Sequence, residues 1–369
     1  MHDPRVDQLA DVLVRYSVKL NPGDKLILVG MPLAEPLLEA CYRSALRAGA
    51  LVDVRVLLPS LDEIFFQTAS EEQLSAITPM ADLQVEAYDA RIIIPADPNT
   101  RALSGVDPKR QAAYAAARQR LLHRMMERTA SGEYRWVSFF YPTNAYAQEA
   151  GMSLASYSDF AFGSCFLDDP DPIARWEELD REQGRLIAWL GDKQEIRLVG
   201  PDTDLTFSVA GRRWINCSGQ MNMPDGEIFT GPVEDSVNGQ VRFTYPAVAH
   251  GRLVEDVRLR FEAGRVVEAH AAQNEEFLLE MLDADEGARR LGEFAFGNNP
   301  RITRFTREVA YDEKIGGTVH MAVGASIPES GGVNQSGVHW DMVCDLRSGG
   351  AVYADGELFM KDGRFVVGR

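Results

Sequence analysis

The sequence lacks the features that mark membrane-spanning, secreted and nucleic-acid-binding proteins. Its 369 residues contain no apolar run of the about 18 residues that a helix needs to cross a bilayer. The N-terminal segment carries two aspartates and no apolar core, which predicts that it is not a signal peptide. Lys and Arg total 38 against 55 for Asp and Glu, so a net charge of -17 repels phosphate backbones. We therefore expect neither a membrane nor a nucleic acid as a partner.

Cysteine is scarce, and its spacing argues against a disulfide framework. The cysteines are far apart and form no C-x-x-C pair; they are Cys41, Cys165, Cys217 and Cys344. Isolated cysteines are typical of free thiols in a reducing compartment rather than of a zinc ribbon. The sequence therefore predicts a cytoplasmic protein.

Several common catalytic fingerprints are also missing. The chain has no G-x-G-x-x-G after its first predicted strand and no G-x-x-x-x-G-K-[ST], so nothing indicates a nucleotide site. It has no H-E-x-x-H, which excludes the single-zinc site built on one helix. It has no G-x-S-x-G, which argues against a serine hydrolase of the usual α/β type.

The first half of the chain alternates apolar strands with helices, the pattern of parallel βαβ units. The predicted strands are near-continuous apolar runs, as in a sheet covered on both faces; they are Lys25–Gly30, Leu51–Leu58, Arg91–Pro95 and Arg135–Tyr141. Helices are predicted over Ser60–Ile77 and from Pro108 to about Thr129, the latter with Asp107 as N-cap. We predict an α/β N-terminal domain over residues 1–190 with an open, largely parallel sheet.

After about Gly191 the pattern changes to short strands separated by tight turns. Asp355-Gly356 and Asp362-Gly363 are hairpin signals near the C-terminus. One predicted helix, over Glu275–Leu291, interrupts the strands. Residues 191–369 are therefore predicted to form an α+β domain with mostly antiparallel strands.

Two of the six histidines stand out by their strand context. His339 and Asp341 are two residues apart, so a strand places both side chains on one face. His320 lies in a second strand-like run, where Val319 and Met321 face the core and the imidazole faces the opposite side. A chance H-x-D pair and a hydrogen-bonded core histidine are the alternatives. Two other histidines are predicted to be solvated: His2 in the terminus and His123 in an Arg-rich helix.

Three glutamates are further candidates for the same site. Glu227 follows a Pro-Asp-Gly turn among apolar residues, so it is either a positioned ligand or part of a loop salt bridge. Glu293 comes just after a predicted helix, and Glu313 lies in an Asp-Glu-Lys run that is also typical of a surface turn. Two histidines with several carboxylates suit Zn²⁺, Mn²⁺ or Co²⁺, and such a site holds two ions when a carboxylate bridges them.

Long motifs occur in order along the chain: FAFGSCFLDDPDPIARWEELD, PDGEIFTGPVEDSVNG, EEFLLEMLDADEGARRLGEFAFG, DEKIGGTVHMAVG and VHWDMVCD. Together they resemble the thermophilic aminopeptidase family, the M29 metallo-aminopeptidases. The resemblance implies an enzyme that hydrolyses the first bond of a peptide with a free amino terminus. It also implies two divalent ions (Zn, Co or Mn) in the C-terminal domain, and a homodimer that encloses a cavity.

Carried over residue by residue, the resemblance implies these metal ligands: Glu227, Glu293, Glu313, His320, His339 and Asp341. It also implies catalytic roles for two of them. Either Glu293, as a bridging or adjacent carboxylate, or Glu313 takes a proton from the attacking water and passes it to the leaving amine.

One position departs from the family pattern. Where the family has a proposed catalytic tyrosine in a G-A-S-Y-P-E context, this chain has Ile327. Isoleucine cannot donate a hydrogen bond to a developing oxyanion, and the loss of one such donor costs about 10²–10³ in kcat. The chain is therefore a slow peptidase, one that recruits Tyr311 or Tyr245, or a relative with another substrate.

Three readings outside this class stay open. His320, His339 and Asp341 would also satisfy the two-histidine, one-carboxylate triad of a mononuclear iron oxygenase. A non-catalytic metal- or peptide-binding protein and a purely structural protein are the others. Oxygen consumption, metal binding without turnover, and the absence of tightly bound metal would identify the three in turn.

Overall fold

The computed structural model describes residues 3–249 and 251–367, which form two compact units. The first unit is Met1–Ile173 with Gly219–Pro224, and the second is Ala174–Ser218 with Asp225–Arg369. The division falls at residue 173 rather than near residue 190, because the helix that spans these positions packs its apolar residues Leu186 and Leu190 into the core of the second unit.

The first unit contains a four-stranded sheet with the order β2-β1-β3-β4. Its strands are β1 (Lys25–Gly30), β2 (Leu51–Val56), β3 (Ala90–Ile94) and β4 (Arg135–Ser138). Every pairing between them is parallel, with Leu26 in register with Val52 on one side and with Ala90 on the other. The predicted parallel sheet and the positions of its strands are confirmed.

Helices connect these strands. They are α1 (Pro4–Asp11), α2 (Glu35–Arg47), α3 (Pro59–Thr68), α4 (Glu71–Ser75), α5 (Pro79–Glu86), α6 (Pro108–Ala130), α7 (Asn144–Glu149) and α8 (Leu154–Ser164). A π-helical turn at Val12–Ser17 extends α1, and a 3₁₀ turn at Pro32–Ala34 precedes α2. As predicted, the Asp107 side chain caps α6 by accepting a hydrogen bond from the Lys109 N–H at 2.9 Å.

The helical stretch predicted over Ser60–Ile77 consists of two helices, α3 and α4, rather than one continuous helix. Ala69 has extended dihedral angles and ends α3. Ser70 then begins α4 with a capping box, in which its side chain and that of Gln73 satisfy each other's backbone N–H groups. This local hydrogen bonding outcompetes the continuation of the first helix.

All but the first two residues of α9 (Pro172–Leu190) belong to the second unit, which otherwise consists mainly of strands. They are β5 (Glu195–Gly200), β6 (Thr203–Ser208), β7 (Ile215–Cys217), β8 (Glu227–Thr230), β9 (Asn238–Arg242), β10 (Ala247–Ala249), β11 (Arg252–Val254), β12 (Arg258–Glu262), β13 (Arg265–His270), β14 (Leu291–Gly297), β15 (Thr318–Gly324), β16 (His339–Asp345), β17 (Ala351–Ala354), β18 (Glu357–Lys361) and β19 (Arg364–Phe365). Two short helices, α10 (Glu275–Leu282) and α11 (Val309–Asp312), and a 3₁₀ turn at Pro328–Ser330 lie between them.

These strands form an eight-stranded sheet with the order β13-β12-β9-β6-β5-β17-β18-β19, a five-stranded sheet with the order β16-β15-β14-β8-β7, and the pair β10-β11. The pairings within these sheets are antiparallel, which confirms the predicted α+β class. The chain described here contains no helix that is both long and apolar enough to cross a membrane.

The helix predicted over Glu275–Leu291 is too long. It ends at Leu282, and the Asp285 carboxylate then accepts hydrogen bonds from the N–H groups of Gly287 and Ala288, which forms a turn. Leu291 begins β14, a strand buried along its whole length. The sequence predicts a helix up to Leu291 because a short apolar run is compatible with both a helix and a strand.

The two faces of the five-stranded sheet differ in chemistry. One face packs on the eight-stranded sheet across an aromatic core, where the ring centroids of Phe207 and Phe294 are 4.9 Å apart. The fully buried Val319 and Met321 lie in this core, as predicted from the alternation in β15. The opposite face, which we call the site face, carries the polar side chains at Glu227, Glu293, His320, His339 and Asp341.

Candidate metal centre

Four neighbouring strands contribute the polar side chains of the site face. Glu227 is the first residue of β8, Glu293 lies in β14, His320 in β15, and both His339 and Asp341 in β16. Because adjacent strands are about 4.8 Å apart, residues of the same face on four strands can converge on one region. This convergence depends on the pairing of strands that are far apart in sequence.

A β-bulge at Gly292 sets the direction of the Glu293 side chain. The register of β14 on β15 shifts between Leu291 and Glu293, so that two residues of β14 face one of β15 there. Both Leu291 and Phe294 therefore lie in the core, and Glu293 between them lies on the site face. The sequence predicts Glu293 just beyond the end of a helix, whereas the structure places it inside the bulged strand β14.

Glu293 lies between the two imidazoles. Its Oε1 is 3.5 Å from the His320 Nε2, and its Oε2 is 3.3 Å from the His339 Nε2. On one side, Glu227 Oε2 is 3.4 Å from the same His320 nitrogen. On the other side, Asp341 Oδ2 is 3.6 Å from the His339 nitrogen. The cluster thus has two halves that share one carboxylate.

Backbone carbonyls fix the orientation of both imidazoles. The His320 Nδ1–H donates to the Glu313 carbonyl oxygen at 2.9 Å, and the His339 Nδ1–H donates to the Ala325 carbonyl oxygen at 2.8 Å. Since a carbonyl only accepts, each ring carries a proton on Nδ1. In the neutral ring this leaves the Nε2 lone pair directed at the carboxylates, the arrangement found in histidines that bind metal.

Unsatisfied buried atoms indicate that the cluster fits divalent ions. Within the described chain, Glu227 Oε2, His320 Nε2 and Asp341 Oδ1 are buried without a hydrogen-bond partner. Buried polar atoms without a partner are costly, and a cation would satisfy them. Ligand atoms within 4.8 Å of one another occur in three groups of this site: Glu227–Glu293–His320, Glu293–His339–Asp341 and Glu313–His320–Asp341. Oxygen and imidazole donors suit Zn²⁺, Mn²⁺ or Co²⁺.

The structure therefore brings all six predicted residues together, although Glu313 enters from outside the sheet. It directly follows α11 as its C-terminal cap, and its side chain is half-buried rather than part of a surface turn. Its carboxylate lies in one group with His320 and Asp341. Its own backbone carbonyl holds the His320 ring.

Sequence reasoning missed Lys314. Its side chain is fully buried, and its Nζ is 3.1 Å from Glu227 Oε1 and 2.5 Å from Glu313 Oε1. A lysine is almost never fully buried unless it is paired. The signal in the sequence was a lysine between an acidic pair and the apolar Ile315, which is not specific by itself.

The charges of the cluster shift its protonation equilibria in opposite directions. Burial raises the pKa of the Glu227 and Asp341 carboxyls. In Glu293 the penalty of burial is outweighed by hydrogen bonds with both imidazoles, which lower the pKa. Burial lowers the pKa of His320 and His339, but the surrounding carboxylates outweigh it and raise the pKa of both rings. Shifts of this kind concentrate at functional sites.

Ile327, which stands where the family pattern has a tyrosine, packs on an apolar part of the site face. The Ile327 side chain contacts a small cluster formed by Cys217, Phe229 and Ala295. Phe229 and Ala295 lie on β8 and β14, two residues beyond Glu227 and Glu293. Ile327 therefore lies on the same face of the sheet as the carboxylates but supplies no polar group.

The two tyrosines considered as replacements differ in their surroundings. The Tyr245 hydroxyl lies between Asp345, at 3.2 Å, and Arg347, at 2.6 Å, at the far end of β16. Tyr311 is fully buried in α11, two residues before Glu313. Of the two tyrosines, Tyr311 is the one that lies close to a candidate ligand along the chain.

Two histidines were predicted to be solvated. The His123 side chain is exposed and lies 3.2 Å from Glu127 on the surface of α6, which confirms the prediction. The prediction for His2 falls outside the described residues.

With this geometry described, comparisons with known proteins identify the family. The model of the thermophilic metalloprotease family M29 matches residues 2–365. This chain belongs to the M29 family. It is 30% identical over 379 aligned residues to aminopeptidase 2 of Geobacillus stearothermophilus, with 92% of each chain covered. Wild-type AmpT from Thermus thermophilus has the same fold, with a TM-score of 0.85, 27% identity and 99% of each chain covered.

Membership in M29 makes the chain a metallo-aminopeptidase by class, a hydrolase of peptide bonds that depends on a divalent metal. The two-domain fold also occurs in a 2,5-dihydroxypyridine dioxygenase from Pseudomonas putida, with a TM-score of 0.63 over 98% of this chain. At 14% identity that likeness concerns the fold alone.

Proposed function

We propose that this M29 enzyme uses two divalent ions to hydrolyse the first peptide bond of a substrate with a free amino terminus. The observation that carries the proposal is Glu293, whose two carboxylate oxygens face two different imidazoles. A carboxylate in this position is suited to bridge two ions. The second unit, which contains all six residues, is then the catalytic domain.

The residues divide into two ligand sets. Glu227, Glu293 and His320 would hold one ion, and Glu293, His339 and Asp341 would hold the other. Ions held by these residues would lower the pKa of water toward neutrality and would polarise the scissile carbonyl. Zn²⁺, Co²⁺ and Mn²⁺ are the ions that this donor set favours.

We assign the proton transfer to Glu313 rather than to Glu293. Both oxygens of Glu293 face imidazole nitrogens, whereas Lys314 holds Oε1 of Glu313. The second oxygen of Glu313 can therefore take a proton from the attacking water and pass it to the leaving amine. The excess of carboxylates in the cluster would also attract the ammonium group of the substrate, which favours an exopeptidase.

The test is metal-dependent hydrolysis of leucyl-p-nitroanilide. Protein stripped with EDTA is assayed before and after addition of Zn²⁺, Co²⁺ or Mn²⁺, and the metal content is measured by elemental analysis. We expect restored release of p-nitroaniline at two ions per chain. Full activity at one ion per chain would overturn the binuclear site, and two bound ions without any turnover would indicate a binding protein.

A mononuclear iron oxygenase is the second candidate. His320 and Asp341 lie in one ligand group and His339 and Asp341 in another, so the three could form a two-histidine, one-carboxylate triad. Ile327 beside the cluster favours this reading, because it offers no hydroxyl to an oxyanion. Loading the stripped protein with Fe²⁺ and measuring oxygen consumption with aromatic diols tests it, and a hydrolase alone would consume none.

We further propose that the enzyme is a homodimer that pairs through β2. This strand ends the four-stranded sheet, and no strand of the described chain covers its outer edge. Val54 and Val56 are 48% and 52% exposed, unusual for a strand in an α/β sheet. Antiparallel pairing of two copies about Val54 would set Asp53 opposite Arg55 of the partner subunit. The segment is thus complementary to itself in charge.

We also propose a cytoplasmic location. All four cysteines are buried, and none of them is part of a disulfide. Burial raises the pKa of all four thiols, which keeps them protonated and unreactive. Free thiols are typical of a reducing compartment.

A further inference from the structure

Lys314 places a positive charge inside the acidic cluster that is proposed to bind metal. Its Nζ contacts Oε1 of both Glu227 and Glu313, and its side chain has no exposure to solvent. A buried ammonium group requires charged partners, and the carboxylates of Glu227 and Glu313 are those partners here.

The contacts of Lys314 also divide the oxygens of Glu227. Oε1 faces the ammonium group, whereas Oε2 faces His320 and has no hydrogen-bond partner within the described chain. Without ions, Lys314 offsets one of the four carboxylate charges of the cluster. With ions, it is an additional positive charge beside the same carboxylates.

We propose that Lys314 is an internal counter-ion that competes with divalent ions for the carboxylates of Glu227 and Glu313. It stabilises the metal-free fold and weakens ion binding. This inference rests on the proposed function, because it assumes that the cluster binds metal. Its physical basis is Coulomb's law, since a unit charge a few ångströms from a bound cation repels it even at an effective dielectric constant of about 20.

The decisive variant is Lys314→Met, which keeps the length of the side chain and removes the charge. We expect the melting temperature of the EDTA-treated variant to fall by roughly 10 °C, because removing one partner leaves buried charges unpaired. We expect its affinity for Zn²⁺, measured by competition with a chromophoric chelator, to rise at least about tenfold. The stabilisation that Zn²⁺ provides should increase accordingly.

The sign of the affinity change separates this role from a structural one. If Lys314 only held Glu227 and Glu313 in place, its removal would lower Zn²⁺ affinity together with stability, and this result would overturn the proposal. Lys193→Met is the matched control. Lys193 Nζ is 2.9 Å from Glu357 on the surface, so its loss should leave Zn²⁺ affinity unchanged.

A double variant keeps the proposal testable if Lys314→Met does not fold. Lys314→Met combined with Glu313→Gln removes one charge of each sign. We expect the melting temperature of the metal-free double variant to return toward that of the wild type. We expect its Zn²⁺ affinity to lie within about threefold of the wild-type affinity. A double variant that binds Zn²⁺ at least tenfold more weakly than the wild type would contradict the proposal, because the removed positive and negative charges would then not offset each other.

Zn²⁺ binding by the wild-type protein tests the proposed function independently of the role of Lys314. If the wild-type protein binds no Zn²⁺ in the competition assay, the metal site itself fails. A tenfold gain or loss of affinity in the variant can be measured only when the wild type binds, so the two failures are distinguishable.

Discussion

At the scale of single residues, Glu293 joins the two halves of the cluster. Each carboxylate oxygen faces a different imidazole nitrogen, at 3.5 and 3.3 Å. Glu293→Gln keeps the shape of the side chain but replaces one oxygen by an amide nitrogen, which cannot bind a cation. We expect the bound metal to fall from two ions toward one and turnover to be lost, as measured by elemental analysis and leucyl-p-nitroanilide hydrolysis.

The fold should survive this change, because the hydrogen bonds of both imidazoles to backbone carbonyls do not involve Glu293. Glu329→Gln is the control for the same chemical change at an exposed position. A folded Glu293→Gln variant that binds two ions and retains full activity would remove Glu293 from the mechanism.

Ile327 allows a gain of function to be predicted. Because its side chain lies against Cys217, Phe229 and Ala295 on the site face, a tyrosine at this position would bring a hydroxyl close to the carboxylates. One oxyanion donor contributes about 10²–10³ in kcat, so we expect Ile327→Tyr to raise kcat by at least about tenfold. Steady-state kinetics on leucyl-p-nitroanilide measure the effect.

Ile327→Phe is the matched control for the size of the new ring. It adds the same bulk without a hydroxyl, so its kcat should not exceed that of the wild type. Equal gains in both variants would mean that packing against the apolar cluster, rather than hydrogen bonding, limits the reaction.

The alternation of side chains along a strand was sufficient to predict which residues of β15 face the site. Val319 and Met321 are fully buried in the core, and His320 points the other way. Lys314 could not be predicted in this manner, because its burial depends on Glu227, a residue far away in sequence. Local periodicity predicts a direction, whereas only the tertiary fold determines the partner.

At the scale of secondary-structure elements, the bulge in β14 affects the positions of both Glu293 and the carbonyl group that orients His339. A Cβ atom on Gly292 would lie 2.3 Å from the Ala325 carbonyl oxygen, which also accepts the hydrogen bond of His339 Nδ1. Gly292→Ala therefore displaces the carbonyl that orients His339 and disturbs the bulge beside Glu293. We expect a loss of roughly 1–3 kcal/mol in the free energy of unfolding.

The same variant should bind metal about 10–100-fold more weakly, the usual effect of losing a group that orients a ligand. Gly184→Ala in α9 is the control, because a Cβ there meets no atom within 4 Å. Alanine in a helix is favourable by up to about 1 kcal/mol over glycine, so this control should not be destabilised. Chemical denaturation and chelator competition measure both variants, and unchanged Zn²⁺ affinity in Gly292→Ala would contradict the argument.

The bulge and the extent of α10 show where element prediction from the sequence fails. The apolar residues around Leu291 fit a helix as well as a strand, and only the pairing of β14 with β8 and β15 decides between them. By contrast, the strands of the first unit were predictable, since parallel strands buried on both faces are continuous apolar runs.

At the scale of the whole molecule, the chain does not divide at one point. Gly219–Pro224 belongs to the first unit, although the residues on both sides of it belong to the second. Within the first unit, the Met223 N–H donates to the Ser138 carbonyl oxygen at 2.9 Å, and the Ser138 N–H donates to the Met221 carbonyl oxygen at 3.0 Å. Such non-local backbone pairing leaves no periodicity in the sequence, so a single boundary was the simplest prediction.

The proposed dimer is also a property of the whole molecule, and its test is an exchange of charges on β2. In antiparallel pairing about Val54, Arg55→Asp places two acidic residues opposite each other at two symmetric positions. Like charges directly opposite on paired strands are destabilising. We expect the dissociation constant of the dimer, measured by analytical ultracentrifugation, to rise at least about tenfold.

Restoring the dimer by a second change makes the test specific. Asp53→Arg combined with Arg55→Asp re-creates opposite charges across the pair, and it should recover most of the lost affinity even though it removes the hydrogen bond from the Tyr88 hydroxyl to Asp53. In addition, Val54→Cys should form a disulfide between subunits, because directly opposed residues lie within the Cα separation that a disulfide requires. The native cysteines are buried and do not compete. A dimer that is indifferent to all three changes would pair through another surface.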